Sequence, residues 1–101
     1  ASMREQVVSA RAIQAQRFAG SHTRYNASMT SRQIRSHCKL DNECQNLLQS
    51  SVNDLGLSAR AHDKVLRVAR TIADLDASEK IEPHHITEAI NYRMLDRQLW
   101  T

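Results

Sequence analysis

Residues 56–75, GLSARAHDKVLRVARTIADL, decide the fold class because they predict one long helix with apolar residues on more than one side. Ser58 is a favourable N-cap residue, and Gly56 is a typical C-terminal stop for a preceding helix. The apolar stripe is formed by Ala61, Val65, Val68, Ala69, Ile72 and Leu75, and Leu66 and Ala73 widen it. So wide a stripe predicts a central helix packed by several neighbours.

The remaining sequence predicts four more helices around this one. They cover residues 2–20, 31–38, 41–56 and 83 to about 94. Ser2 and Glu5 have capping-box spacing, Thr30 precedes the second of these ranges, Asp41 is the candidate N-cap of the third, and Pro83 begins the last. Ile86, Ala89 and Ile90 of the last helix are predicted to point inward. Residues 20–30 form a polar connection. We therefore expect residues 1–101 to be one all-α domain, a compact bundle of about five helices.

The composition supports this fold class and restricts the function. The 101 residues contain two glycines, one proline and 4% aromatic residues, so the core must be aliphatic and alanine-rich. The net charge of +3 is compatible with phosphate contacts but too small to be evidence for nucleic-acid binding. No apolar run approaches the roughly 20 residues that span a bilayer, so we expect a cytoplasmic protein without membrane contact.

Motifs of a self-sufficient enzyme are absent from the sequence. It has no Gly-rich phosphate loop, no paired acidic metal cluster and no nucleophile elbow. His62 is more simply a packing or surface residue, and His84 and His85 are expected in the first turn of the last helix. Cys38 and Cys44, even with His37, lack a clear fourth zinc ligand. We expect no metal site and no catalytic residue in this domain.

One flank of the central helix carries Arg60, Lys64, Arg67 and Thr71. This flank is either a solvated border, supported by the i,i+4 pairs Asp63–Arg67 and Arg70–Asp74, or an edge that faces phosphate. An arginine in the first turn is unfavourable beside the positive end of the helix dipole, unless an anion lies opposite it.

A second unusual feature lies in the first helix, where Arg11 and Gln14 share a face with Val7 and Phe18. A polar group on an apolar face needs a hydrogen-bond partner. The partner is either elsewhere in this domain or in another domain, and the sequence leaves both interpretations open.

The sequence resembles the C-terminal helical lid of magnesium-chelatase-like AAA+ ATPases of the ComM type. The likeness is strongest over residues 55–97, LGLSARAHDKVLRVARTIADLDASEKIEPHHITEAINYRMLDR. Upstream, VSARAIQAQRF at 8–18, Asn26 and HCKLD at 37–41 are similar to the same family. The likeness covers almost the whole chain, and the segment from Ser58 to Leu75 is its most specific part.

The resemblance implies that Arg60 is the sensor-2 arginine, which approaches the γ-phosphate of ATP, with Ser58, Lys64 and Arg67 as further candidate nucleotide-contacting residues. In this family the ATP and Mg²⁺ sites belong to a preceding α/β core, which this sequence lacks. The implied partners are that core and neighbouring subunits of a homo-hexameric ring, with Arg60 serving its own or a neighbouring subunit. The parent would be a DNA helicase or branch-migration motor of recombination or transformation.

Two other classes of function compete with the lid hypothesis. The first is an autonomous helical DNA-binding module, whose affinity would fall steeply with salt. The second is a protein-interaction bundle, in which the arginines serve solubility. Neither the residues nor the resemblance assigns a role to Trp100.

Overall fold

Five α-helices and one short 3₁₀ helix form the secondary structure of residues 2–100, which the computed structural model describes; for residues 93–100 it describes the backbone alone. The elements are α1 (Met3–Arg17), the 3₁₀ helix (Asn26–Ser28), α2 (Ser31–His37), α3 (Asn42–Leu55), α4 (Ala59–Leu75) and α5 (Pro83–Trp100). The predicted all-α bundle is confirmed. The last helix is longer than predicted, since it continues past Met94.

The helix starts lie where the capping residues predict them. The side chains of Ser2, Thr30, Asp41 and Ser58 accept hydrogen bonds from the backbone N–H groups of Glu5, Gln33, Cys44 and Ala61, respectively. Thr30 and Gln33 form a complete capping box, because the Gln33 side chain accepts in return from the Thr30 N–H. Gly56 ends α3 in the left-handed conformation, at a φ of 64°. These boundaries follow from local chemistry.

Helix α4 is the central helix, as its wide stripe predicts. It packs against α1, the 3₁₀ helix, α2 and α5, while α3 packs against α5. The buried residues of α4 are Ala61, Val65, Leu66, Ala69, Arg70, Ala73 and Asp74. The predicted stripe is thus only partly buried: Val68, Ile72 and Leu75 are half-buried and line an open groove instead.

The core is a cluster of mostly aliphatic side chains from α2, α3, α4, α5 and the connections between the helices. Ile86 and Ala89 of α5 are fully buried and Ile90 is nearly so, as predicted, while Met29, Ile34 and Leu48 come from the other elements. Each large apolar side chain buried here stabilises the fold by about 1.5–3 kcal/mol. Among the described residues, no helix is both long and apolar enough to cross a membrane.

Candidate functional site

The first turn of α4 presents Arg60 to solvent. Ser58 caps the helix, with its Oγ accepting from the Ala61 N–H at 3.2 Å, and the first turn contains no acidic residue. Arg60 is exposed, and it forms no hydrogen bond or ion pair with the other side chains and backbone of the described part of the chain. A guanidinium beside the positive end of a helix dipole is therefore left without a counter-charge, in a position where an anion would be stabilised.

Arg60 lies on the rim of an open groove along α4, which we call the α4 groove. Its volume is about 630 Å³. Its lining residues are Ala27, Arg60, Lys64, Arg67, Val68, Thr71, Ile72, Leu75 and Tyr92. Because apolar residues and an exposed tyrosine ring lie beside three cationic side chains, the groove suits a partner that is apolar in one part and anionic in another.

The predicted flank of α4 does come together on this groove, but its members differ in exposure and in the hydrogen bonds that they form. The Arg67 Nε donates to the Met29 carbonyl at 3.0 Å, so Arg67 is anchored to the segment before α2. The expected surface pair with Asp63 is not what holds it; Asp63 accepts from the Ser31 hydroxyl instead. Arg67 thus has a structural role, whereas Arg60 and Lys64 lie at the exposed end of the rim.

Behind the groove lies a buried polar network centred on Asp74, which the sequence analysis did not predict. One Asp74 oxygen accepts from Arg17 Nη1 and Asn26 Nδ2, both at 2.7 Å. The other accepts from Arg17 Nη2 at 2.8 Å and from Arg70 Nε at 3.2 Å. The Arg70–Asp74 pair was predicted from its i,i+4 spacing, but as part of a solvated border; both residues are buried.

Asn26 connects this network to the groove and to α1. Its Nδ2 lies 3.2 Å from the Thr71 hydroxyl, and its backbone N–H donates to Gln14 Oε1 at 2.9 Å. Gln14 therefore finds its partner within the domain, which decides between the two interpretations left open for it. Arg11, in contrast, is exposed. A lone asparagine in a polar connection gives no local signal of a buried position.

The Arg70 guanidinium also holds the turn between α4 and α5. Its Nη2 donates to the Ser78 carbonyl at 2.7 Å and its Nη1 to the Glu79 carbonyl at 3.0 Å. With Asp74 accepting from Nε, all three nitrogens of the Arg70 guanidinium have a hydrogen-bond partner. The network therefore ties the turn that leads to α5 to the end of α4.

Three potential metal ligands, Asp76, His84 and His85, converge where α5 begins. However, both His85 nitrogens are occupied: Nδ1 accepts from the Glu82 N–H at 2.9 Å, and Nε2 lies 2.8 Å from Asp76 Oδ2. A metal at Nε2 would require a proton on Nδ1, facing the Glu82 N–H. The arrangement instead suits a helix cap, and the hydrogen bonds from His85 and His84 lower the pKa of the Asp76 carboxyl.

The two cysteines lie in the core and do not join this group. Cys38 Sγ lies 3.8 Å from the Leu66 carbonyl, and Cys44 Sγ lies 3.3 Å from the Ile81 carbonyl. Burial raises the pKa of the Cys38 thiol to about 11 and that of Cys44 to about 12. Protonated, buried thiols of this kind are neither good nucleophiles nor ready metal ligands.

The family model of the C-terminal region of magnesium chelatase subunit ChlI matches residues 1–93. The chain is 41% identical over 99 residues to the uncharacterised protein YifB of Escherichia coli and, equally, to the competence protein ComM of Haemophilus influenzae. A YifB protein of Salmonella typhimurium is 35% identical over the same length.

The chain therefore belongs to the magnesium-chelatase C-terminal family of AAA+ proteins. These alignments cover 98% of the chain but 19% of the length of each relative. The domain thus corresponds to about a fifth of a longer protein in its relatives.

Proposed function

We propose that this domain is the lid of an AAA+ ATPase, and that the α4 groove docks onto the nucleotide-binding core with Arg60 directed at the ATP phosphates. The observation that carries the proposal is the exposed Arg60, without a protein partner in the described structure, at a helix N-terminus on the rim of a partly apolar groove. An apolar docking surface with one unneutralised arginine suits a site shared between two domains.

The physical role of Arg60 follows from charge. A γ-phosphate brings negative charge that the guanidinium can pair with, and the α4 N-terminus adds a favourable dipole. After hydrolysis and phosphate release that partner is lost, so the preferred position of the lid changes with the nucleotide state. Lys64, one turn further along the same rim, would add a second positive charge near the phosphates.

The other two candidate residues act through the fold. Ser58 Oγ caps the end of α4 that carries Arg60, and Arg67 ties the middle of α4 to the Met29 carbonyl, so both hold the helix in place. The ATP and Mg²⁺ sites belong to the core of the parent protein. We accordingly expect this domain alone to have no ATPase activity.

The proposed parent is a cytoplasmic DNA motor of recombination or transformation, a helicase or branch-migration enzyme working as a homo-hexameric ring. The support is the similarity to a protein named as a competence protein. In such a ring the lid contacts its own core and a neighbouring subunit, and Arg60 serves the ATP site of one of these two subunits. Movement of the lid would then couple ATP turnover to movement of the ring.

The test compares Arg60→Ala with the unmodified protein in the full-length parent, measuring ATP binding and steady-state turnover separately. We expect turnover to fall at least tenfold with ATP binding largely retained, because an arginine aimed at the transferred phosphate acts mainly in the transition state. The matched control is Arg4→Ala, which removes an exposed arginine of α1. Unchanged turnover in Arg60→Ala would reject the sensor role.

A further inference from the structure

The most uneven charge in the chain lies in one stretch of the sequence, between α1 and the end of α2. Residues 6–40 contain six arginines and lysines and no aspartate or glutamate. Of these cations, Arg17 is neutralised by Asp74, but Arg11, Arg24, Arg32, Arg35 and Lys39 are exposed. Since the net charge of the whole chain is only +3, this positive charge is concentrated in one stretch of the sequence, from Arg11 to Lys39.

Two of these exposed arginines, Arg11 and Arg24, line a cavity of about 360 Å³. Its lining residues are Arg11, Ala15, Phe18, Ser21, Thr23, Arg24 and Tyr25. It shares no residue with the α4 groove, and two of its lining residues are arginines without a hydrogen bond or ion pair to the described part of the chain. We call it the Tyr25 pocket.

The chemistry of the Tyr25 pocket is that of a nucleotide site. Tyr25 is 51% exposed and offers an aromatic face, while Arg11 and Arg24 offer bidentate donors for phosphate. The pocket wall is preorganised, because the Gln33 side chain holds both Ser21 and Thr23: Thr23 Oγ1 donates to Gln33 Oε1 at 2.9 Å, and Gln33 Nε2 donates to Ser21 Oγ at 3.3 Å. Gln33 lies in α2, so the pocket is joined directly to the helix that bears the other cations.

We infer that the Tyr25 pocket binds single-stranded nucleic acid. One base stacks on Tyr25, the adjoining phosphates of the strand contact Arg11 and Arg24, and the strand continues toward α2. An exposed aromatic beside arginines is the arrangement that recognises unpaired bases, whereas a duplex keeps its bases stacked out of reach. The inference deepens the DNA-acting part of the proposed function by assigning a contact surface to this domain. It is independent of the role of Arg60.

The experiment measures fluorescence anisotropy of a labelled oligothymidylate, roughly 15 nucleotides long, with the 101-residue chain at several salt concentrations. Phosphate contacts from Arg11 and Arg24 predict a slope of log affinity against log salt of about −1.4, or roughly a sevenfold loss of affinity between 50 and 200 mM salt. Arg24→Ala should weaken binding and reduce the slope by about 0.7. Tyr25→Ala should cost roughly tenfold, and Tyr25→Phe should restore binding because it keeps the stacking face.

Arg4→Ala is the control, since it removes the same charge from the start of α1 and Arg4 does not line the Tyr25 pocket. Arg4, Arg24 and Tyr25 are all exposed, so the variants should fold normally, which circular dichroism would verify. The inference is overturned if no binding occurs up to about 100 µM protein at 50 mM salt, or if Arg4→Ala weakens binding as much as Arg24→Ala. Preference for a duplex of the same length would also overturn it.

These outcomes separate the inference from the proposed lid function. Arg60→Ala in the parent tests ATP turnover, whereas Arg24→Ala and Tyr25→Ala test strand binding by this chain alone. Absence of strand binding by the unmodified chain, together with the expected Arg60→Ala effect, would reject only the present inference. Strand binding with the expected variant effects, but without an effect of Arg60→Ala on turnover, would reject only the lid proposal.

Discussion

Replacing Asp74 by asparagine tests whether the buried network holds the bundle together. The carboxylate accepts from three residues, Arg17, Arg70 and Asn26, and its side chain is fully buried. Asparagine keeps the size but removes the charge, and it places an N–H₂ group where donors already converge. Two buried or half-buried guanidinium groups would then lose their counter-charge.

The burial of this ion pair sets the loss of unfolding free energy that we expect for Asp74→Asn. Removing one partner of a buried ion pair typically costs about 3–5 kcal/mol, because the remaining charge is left uncompensated. A domain of this size is stable by about 5–15 kcal/mol, so Asp74→Asn should remove a large fraction of the total. With a urea dependence of about 2 kcal/mol per molar, the unfolding midpoint should fall by roughly 2 M.

The assay is urea unfolding of the 101-residue chain, followed by far-ultraviolet circular dichroism at neutral pH. Asp54→Asn is the matched control, since Asp54 is exposed on α3, and it should change the free energy of unfolding by less than about 0.5 kcal/mol. A loss below 1 kcal/mol for Asp74→Asn would refute the reasoning, because the arginines would then be stabilised without the carboxylate.

Two further predictions concern pH and thiol reactivity. The Cys44 N–H donates to Asp41 and lowers the pKa of that carboxyl below its ordinary value of 3.8. The stability that ionised Asp41 adds is therefore fully present above the pKa of the unfolded chain, and it is lost as the pH falls through the lower pKa of the folded chain. The difference in unfolding free energy between the wild type and Asp41→Ala should therefore shrink on acidification from pH 6 toward 2; a constant difference would contradict it. With their pKa values at about 11 and 12, Cys38 and Cys44 should react with a disulfide reagent at pH 8 far more slowly in the native chain than in urea, and equal rates would show that the thiols are accessible.

The family resemblance and the structure contribute different facts about the residues at the start and along one side of α4. The resemblance singles out Arg60, Ser58, Lys64 and Arg67 together. The structure separates them: Ser58 and Arg67 are engaged in holding α4, and Arg60 alone has neither a described partner nor a buried position. Lys64 stays with Arg60 on the rim. The sharpest functional test therefore falls on Arg60.

What the sequence alone determined is local. Ser58, Thr30 and Asp41 marked helix starts, and Gly56 marked a helix end, because capping bonds and a left-handed turn form between residues close in the chain. The width of the apolar stripe on residues 59–75 likewise predicted a central helix, since helical periodicity is a property of neighbouring residues.

Only the tertiary structure decided which polar groups are buried. Asp74 and Arg70 have the spacing of a surface pair, and Asn26 lies in a polar connection; their burial depends on Arg17, which is 57 residues from Asp74 in the chain. No local pattern reports a partner at that separation, because burial of a charge is favourable only once the matching charge has been brought beside it. The wall of the Tyr25 pocket likewise depends on a contact between two segments, since Gln33 of α2 is hydrogen-bonded to Ser21 and Thr23.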